Sequence, residues 1–282
     1  MTWSERRTYG AESVPTVTAM RARKDATQAR VAVIVTAGPG DSTVHGIRAA
    51  IETELVRGAS LIDDLVVADT PDGRGDALWR SIAATPAQIA VWLDGGMRNF
   101  SPRFVVRMLA PLLLEDSLLM VKGFASSKIS PKSGGRAADH GLARPLLAAH
   151  FPRLVDFAQP FSREGAARVA LLRRLAFVAG EAVDAGLLID SLEVAGLDAL
   201  GQAEFGSAIH RTDPVSRYDI DIARTILRRA EEWGRTRPFA DAPVDPLLVR
   251  DQQDPVPDRP PLDGRHILRP AGRAPGLARV GR

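Results

Sequence analysis

Residues 88–100 read Q-I-A-V-W-L-D-G-G-M-R-N-F. Five apolar or small residues, Ile89 to Leu93, run straight into Asp94, and Gly95 and Gly96 follow. A short unbroken apolar run is the pattern of a strand buried on both faces, as in a parallel sheet. Its terminal carboxylate then stands where open α/β sheets present groups to ligands. Glycines there, lacking a Cβ, let backbone or ligand approach closely. Two readings of Asp94 are open. It holds a metal-bound phosphate at the sheet edge, or it caps the next helix, for which Ser101 and Pro102 look like a start.

Upstream, Val31 to Val35 (V-A-V-I-V) is a β-branched run ending in the turn T-A-G-P-G. Asp41 and Ser42 are placed to cap an amphipathic helix through Leu55, and Leu61 to Ala68 reads as a second strand ending in Asp69. Strand, helix, strand with a glycine-bearing first turn makes a βαβ unit and a parallel sheet. The turn is not G-x-G-x-x-G and carries no Walker lysine, so a dehydrogenase-type dinucleotide fold fits poorly. In T-P-D-G-R-G-D-A-L-W-R-S, a G-R-G loop precedes a helix from Asp76 to Ala84. Its N–H groups and Arg74 suit a phosphate, or it is a plain surface turn.

Downstream, Pro102 to Leu114 is predicted helical, and Leu118 to Lys122 a strand. S-G-G-R at 133–136 opens an Ala/Leu-rich helix to His150, and Gly134, Gly135 and Arg136 form an anion seat. Phe157 to Glu164 reads as strand-like, followed by a helix through Arg174. Val183 to Leu192 has helical spacing, with Asp184 where the helix dipole favours an acid. Leu197 to Ile209 contains a strand leading to His210, either a structural histidine or a ligand. Tyr218 to Trp233 is a last amphipathic helix.

The 282 residues, 45% hydrophobic and 25% charged, suit one α/β domain with a tail. The expected division is an extension over 1–29, the domain over 30–236, and a Pro/Arg-rich, poorly ordered tail over 237–282. With no cysteine, disulfides and thiolate metal sites are excluded. No apolar run reaches the ~18 residues of a membrane span, and a polar amino terminus points to the cytoplasm. The net charge of +3 rests on 33 Arg against 4 Lys. Acids are interspersed and aromatics are only 5%, which argues against nucleic-acid binding.

Several segments together go further: G-R-G-D-A-L-W-R-S-I-A-A, V-W-L-D-G-G, V-K-G-F, S-G-G-R, A-R-P-L-L-A-A, Q-P-F-S-R-E-G-A-A, V-D-A-G-L-L-I-D, G-L-D-A-L-G-Q and A-I-H-R. In this order, over roughly 20–235, the chain resembles the glucosyl-3-phosphoglycerate synthases, retaining glycosyltransferases of the GT-A fold. The resemblance implies a nucleoside diphosphate sugar, UDP- or GDP-linked, donating its sugar to a small anionic acceptor. It implies Mg²⁺ or Mn²⁺ on Asp94 and His210, donor contacts from Ala37, Asp41, Asp69, Arg74, Asp94 and Gly95, and acceptor contacts from Gly135 and Arg136. Glu164 and Asp184 fall at the catalytic acids near the sugar. The family also suggests a homodimer.

The departures matter chemically. The second acid of the metal-binding D-x-D motif is Gly96, and the acid expected on the ribose falls at Gly40, with Asp41 next to it. A threonine of the acceptor site is Ala138, which removes a hydroxyl donor. One carboxylate and one imidazole bind metal more weakly, although water and diphosphate can complete a six-coordinate Mg²⁺. Three readings follow: a transferase with an altered acceptor site, a degenerate homologue that binds nucleotide or a protein partner without turnover, or an interaction protein using its basic tail.

Overall fold

The computed structural model describes residues 2–38, 40–126, 141–209, 215–235 and 267–268. Its centre is a seven-stranded sheet, and its strands follow from the β-branched and apolar runs of the sequence. In chain order they are β1 (Thr8–Tyr9), β2 (Val31–Ala37), β3 (Asp64–Asp69), β4 (Ile89–Asp94), β5 (Met120–Ala125), β6 (Gly165–Arg168) and β8 (Leu200–Gly206). Across the sheet the order is β1-β8-β5-β6-β4-β2-β3. Every pair is parallel except the two made by β6, which runs antiparallel to both β4 and β5. A two-residue β7 (Phe177–Val178) pairs separately with β9 (Ile267–Leu268).

Helices cover both faces, as a buried parallel sheet requires. One face carries α2 (Val17–Thr27), α3 (Val44–Ile51) and α5 (Pro102–Leu114), packed on Val31, Val33 and Val35. The other carries α4 (Arg74–Ala84), α6 (Ala143–His150), α8 (Val183–Ala195) and α9 (Val215–Glu232), packed on Ile34 and Trp92. Among the described residues the other α-helices are α1 (Trp3–Arg7) and the one-turn α7 (Val169–Leu172). All six residues of β4 are buried, so the unbroken run from Ile89 is the central strand it reads as.

Three local expectations are corrected. Asp41 and Ser42 do not cap α3: Thr43 is the N-cap, its hydroxyl donating to the Gly95 carbonyl rather than capping, and Asp41 Oδ2 instead accepts the N–H of Gly38 at 2.7 Å. The segment from Phe157 to Glu164 is turns rather than strand; Pro160 offers no N–H, and the N–H of Ser162 bonds back to Gln159. The strand starts one residue later, at Gly165, and the helix expected through Arg174 is only α7. The tail lies outside the described residues apart from Ile267 and Leu268.

The register places Gly165 of β6 opposite both Trp92 of β4 and Lys122 of β5. A Cβ on Gly165 would stand 2.6 Å from the Trp92 ring. The missing side chain is thus the space into which the indole packs.

Candidate functional site

The carboxyl ends of β2, β3 and β4 lie side by side, where a parallel sheet has its ligand crevice. Asp94 closes β4, and its Oδ1 accepts the N–H of Gly96 at 3.0 Å. The two glycines after it differ in purpose. A Cβ on Gly95 would meet the Thr36 carbonyl at 2.8 Å, and the Gly95 N–H donates to that same oxygen, so Gly95 seats β4 against β2 rather than admitting a ligand. A Cβ on Gly96 would stand 3.4 Å from Oδ1 of both Asp41 and Asp94. Gly96 is therefore the open position, with two carboxylates facing across it. Asp69 is exposed at the end of β3, and the Ala37 carbonyl accepts the Thr70 N–H at 3.1 Å, joining the ends of β2 and β3.

Arg163 enters this crevice from the turn before β6. Its Nη1 donates to Asp94 Oδ2 at 3.0 Å, its Nη2 lies 3.0 Å from Glu181 Oε2, and its guanidinium carbon sits 4.9 Å from the centre of the Tyr218 ring. Burial alone would lower the Arg163 pKa, but the charges around it, that of Asp94 first, raise it above its ordinary value. The group stays cationic. The sequence singled out Glu164 and passed over its neighbour; a charged residue in a turn gives no signal of which carboxylate it meets.

Beneath the crevice lies a second, fully buried charge cluster centred on Asp184. Its Oδ1 accepts Trp92 Nε1 at 2.9 Å and Lys122 Nζ at 3.0 Å, and its Oδ2 accepts Arg74 Nη1. Burial would raise the Asp184 pKa, but Arg74, Lys122 and the Trp92 bond outweigh it and hold the group at about 2. Lys122 is pushed down by burial, against the pull of Asp184. Arg74 also donates from Nε to Thr36 Oγ1 at 3.0 Å and from Nη2 to the Arg163 carbonyl. Asp184 is 0% exposed and Arg74 2%, and in this structure their charges face each other. The G-R-G loop is likewise a packing junction: a Cβ on Gly75 would lie 1.9 Å from the Val178 carbonyl, and the Gly75 N–H donates to Gly180. Trp92 was legible only as one member of an apolar run, and Lys122 only as the end of a strand.

Glu164 is also buried, 1% exposed, with Oε2 accepting the Ser162 hydroxyl at 2.7 Å. Gly135, Arg136 and His210 lie outside the described residues. The segment before His210 is held firmly, however. Asn99, five residues past Asp94, accepts the Ile209 N–H at 2.6 Å and donates to the Ser207 carbonyl at 2.5 Å, while the Arg98 N–H donates to Ile209. The loop after β4 thus fixes Ile209 beside the strand that bears Asp94.

Among the described residues no three His, Asp or Glu side chains converge as a metal site. Asp94 and Asp41, facing across Gly96, still fit a hard divalent cation such as Mg²⁺ or Mn²⁺, which favours oxygen ligands and readily keeps phosphate and water among them. Among the described residues no helix is long and apolar enough to cross a membrane.

No protein-family model matches the chain. Solved structures do match. Mannosyl-3-phosphoglycerate synthase from Rubrobacter xylanophilus superposes with a TM-score of 0.76 at 26% identity, covering 84% of this chain and 85% of that one. Glucosyl-3-phosphoglycerate synthase from Mycobacterium tuberculosis in complex with phosphoglyceric acid gives 0.72 at 30% identity, covering 80% and 88%. The same protein is also known with Mn²⁺, UDP-glucose and phosphoglyceric acid. The fold is that of the GT-A-like glycosyltransferase structures it superposes on. In sequence, the M. tuberculosis synthase is 36% identical over 216 residues, 70% of this chain and 65% of its own length; the Mycolicibacterium smegmatis one is 34% identical over 203 residues. The chain belongs to the glucosyl-3-phosphoglycerate synthase family, and it spans just under two thirds of the length of that first relative.

Proposed function

We propose that the protein transfers a hexose from a nucleoside diphosphate sugar, UDP-glucose first among candidates, to the hydroxyl of a small phosphorylated or carboxylated acceptor, with the anomeric configuration retained. The bond from the anomeric carbon to the diphosphate oxygen breaks. A new bond forms to the acceptor oxygen, whose proton leaves with the departing nucleotide or to solvent. The observation that carries the reading is the pair Asp41 and Asp94 across Gly96, Asp94 ending β4 and Asp41 in the loop after the adjacent β2, in a chain of this family. A divalent ion held by these carboxylates would supply positive charge to the leaving diphosphate.

Asp94 and Asp41 are the carboxylates for that ion, and His210, next to the fixed Ile209, is its further ligand. Ala37 and Asp69 line the donor side. Gly135 and Arg136 receive the acceptor's anion, and Ala138 narrows or shifts which acceptor is taken. Glu164 acts from its buried position, and the Asp184 cluster holds its surroundings in place. The test is product formation from UDP-glucose with Mg²⁺ or Mn²⁺ and an acceptor panel of 3-phosphoglycerate, glycerol 3-phosphate and related hydroxy acids. UDP release that depends on one acceptor supports the reading. Tight UDP binding without product across the panel favours the second reading, a nucleotide binder without turnover, for which Gly96 in place of the second acid is the specific support.

A further inference from the structure

Away from the strand ends, a cavity of about 530 Å³ lies between the segment that follows β7 and helix α9. One wall is formed by Val178 to Ala182, and the other by α9, where Leu227 is 42% exposed. The three arginines of the groove each face a carboxylate: Arg224 meets Asp221 at 3.8 Å, Arg228 meets Glu232 at 3.2 Å and Arg229 meets Asp190 at 2.8 Å. Their charge is matched within the domain. The groove therefore suits an extended backbone better than an anion.

The strand pairing supplies such a backbone. β9 runs antiparallel to β7, with Leu268 opposite Phe177 and Ile267 opposite Val178. Continued by one residue, that register sets His266 beside Ala179, on the groove wall. Gly180, at φ +84°, then turns the wall and ends the ladder. Residues 262–269 lie between Pro261 and Pro270 and contain no proline, so each has the N–H that a ladder needs. The wall also matters to the rest of the molecule. The Gly180 carbonyl accepts the Gly75 N–H at 2.9 Å, and Glu181 lies 3.0 Å from Arg163, which holds Asp94.

We propose that the groove between β7 and α9 is the docking site of the chain's own C-terminal segment, residues 262–268, added to β7 as a strand. Main-chain hydrogen bonds to β7 give the attachment, and the residues before His266 lie over the groove toward Leu227. The basic, proline-rich tail is thereby tied to the domain within two side chains of Asp94. This inference is independent of the nucleotide-sugar reading.

The protein has no cysteine, so an engineered pair is free of competing thiols. The experiment compares the full-length double variant Ala179→Cys/His266→Cys with Ala179→Cys/Leu277→Cys, whose second thiol lies further along the tail. Oxidation is followed by non-reducing electrophoresis. The first pair should close within one chain about tenfold faster than the second, because docking raises its effective concentration. Hydrogen exchange across residues 177–182 is measured alongside, in wild type and in Ile267→Pro/Leu268→Pro, which removes whichever N–H faces β7. Protection there should fall about tenfold in the proline variant, with little change in melting temperature. Equal oxidation rates for the two cysteine pairs overturn the inference, and so does unchanged protection in the proline variant. A disulfide between two chains instead of within one also overturns it, since the groove would then take the tail of a second copy. Should the proline variant fail to fold, the two oxidation rates decide.

Discussion

The indole nitrogen of Trp92 donates to Oδ1 of Asp184 across 2.9 Å, joining the central strand to the first turn of α8. Lys122 and Arg74 meet the same carboxylate, so one buried anion faces two buried cations. Asp184→Asn removes that anion and leaves both cations buried together. Breaking such a cluster is expected to cost about 3–5 kcal/mol, read from denaturant unfolding. Lys122→Met leaves the Arg74–Asp184 pair balanced and should cost much less. Equal losses in the two variants would refute the assignment of Asp184 as the hub.

Acid dependence should separate two aspartates by sign. Asp184 sits at about 2, below its ordinary 3.8, so its stabilisation is present above 3.8 and lost as pH falls through about 2. The gap between wild type and Asp184→Asn should therefore close by about 2 kcal/mol on acidification. Asp190, on the far end of α8, is raised to about 6 because burial outweighs its bonds to Arg229 and Trp233. Its contribution is full below 3.8 and lost as pH rises through about 6. Asp190→Asn should thus gain on wild type by about 2–3 kcal/mol between pH 4 and 7. A gap that is flat with pH would contradict this.

Gly165 should tolerate no side chain. Gly165→Ala places a methyl 2.6 Å from the Trp92 ring and should destabilise by about 1–3 kcal/mol through overpacking. A red-shifted tryptophan fluorescence should accompany it, as the indole is pushed off Asp184. An unshifted spectrum with full stability would mean the sheet relaxes around the methyl.

Asn99→Ala removes the two bonds that hold Ser207 and Ile209. If His210 is a ligand, Mn²⁺-dependent nucleotide binding should weaken about tenfold, about 1.4 kcal/mol, with a small change in melting temperature. Metal titration followed by calorimetry checks it, and an unchanged Mn²⁺ affinity would remove His210 from the ligand set.

Gly96→Asp restores the second acid of the motif where a Cβ fits without collision. It should tighten Mn²⁺ binding and lower metal-free stability, since three carboxylates then share one space. Loss of stability without any gain for Mn²⁺ would show that the crevice is no metal site.

The sequence carried the sheet well because β2 and β4 are apolar on both faces, a pattern with few alternative readings. Helix α5 was legible for the same reason, from Pro102 at its first turn to the end of its apolar face at Leu114. The short β6 was misplaced because G-A-A-R has neither bulk nor alternation, and its strand state comes from being held between β4 and β5. Asp94 was legible from its place after an apolar run. Arg74 and Asp184 were expected at the ligand, yet their charges are buried against each other. A charged letter gives no sign of whether water, a ligand or another charge will face it. Arg163 was missed for the converse reason, since only the folded turn brings it to Asp94.

The antiparallel β6 also gives the sheet a history in time. Strands β4 and β5 are consecutive in the chain yet do not pair; the gap between them waits for residues 165–168, about forty residues further on. Until then the half containing β2, β3 and β4 and the strand β5 are separate pieces, with Trp92 and Lys122 on open edges. Loop closure over such distances is slow compared with helix formation. Asp184 is synthesised after all of them. A chain that ends before α8 lacks the anion for Arg74 and Lys122, so both buried cations stay uncompensated until Asp184 docks.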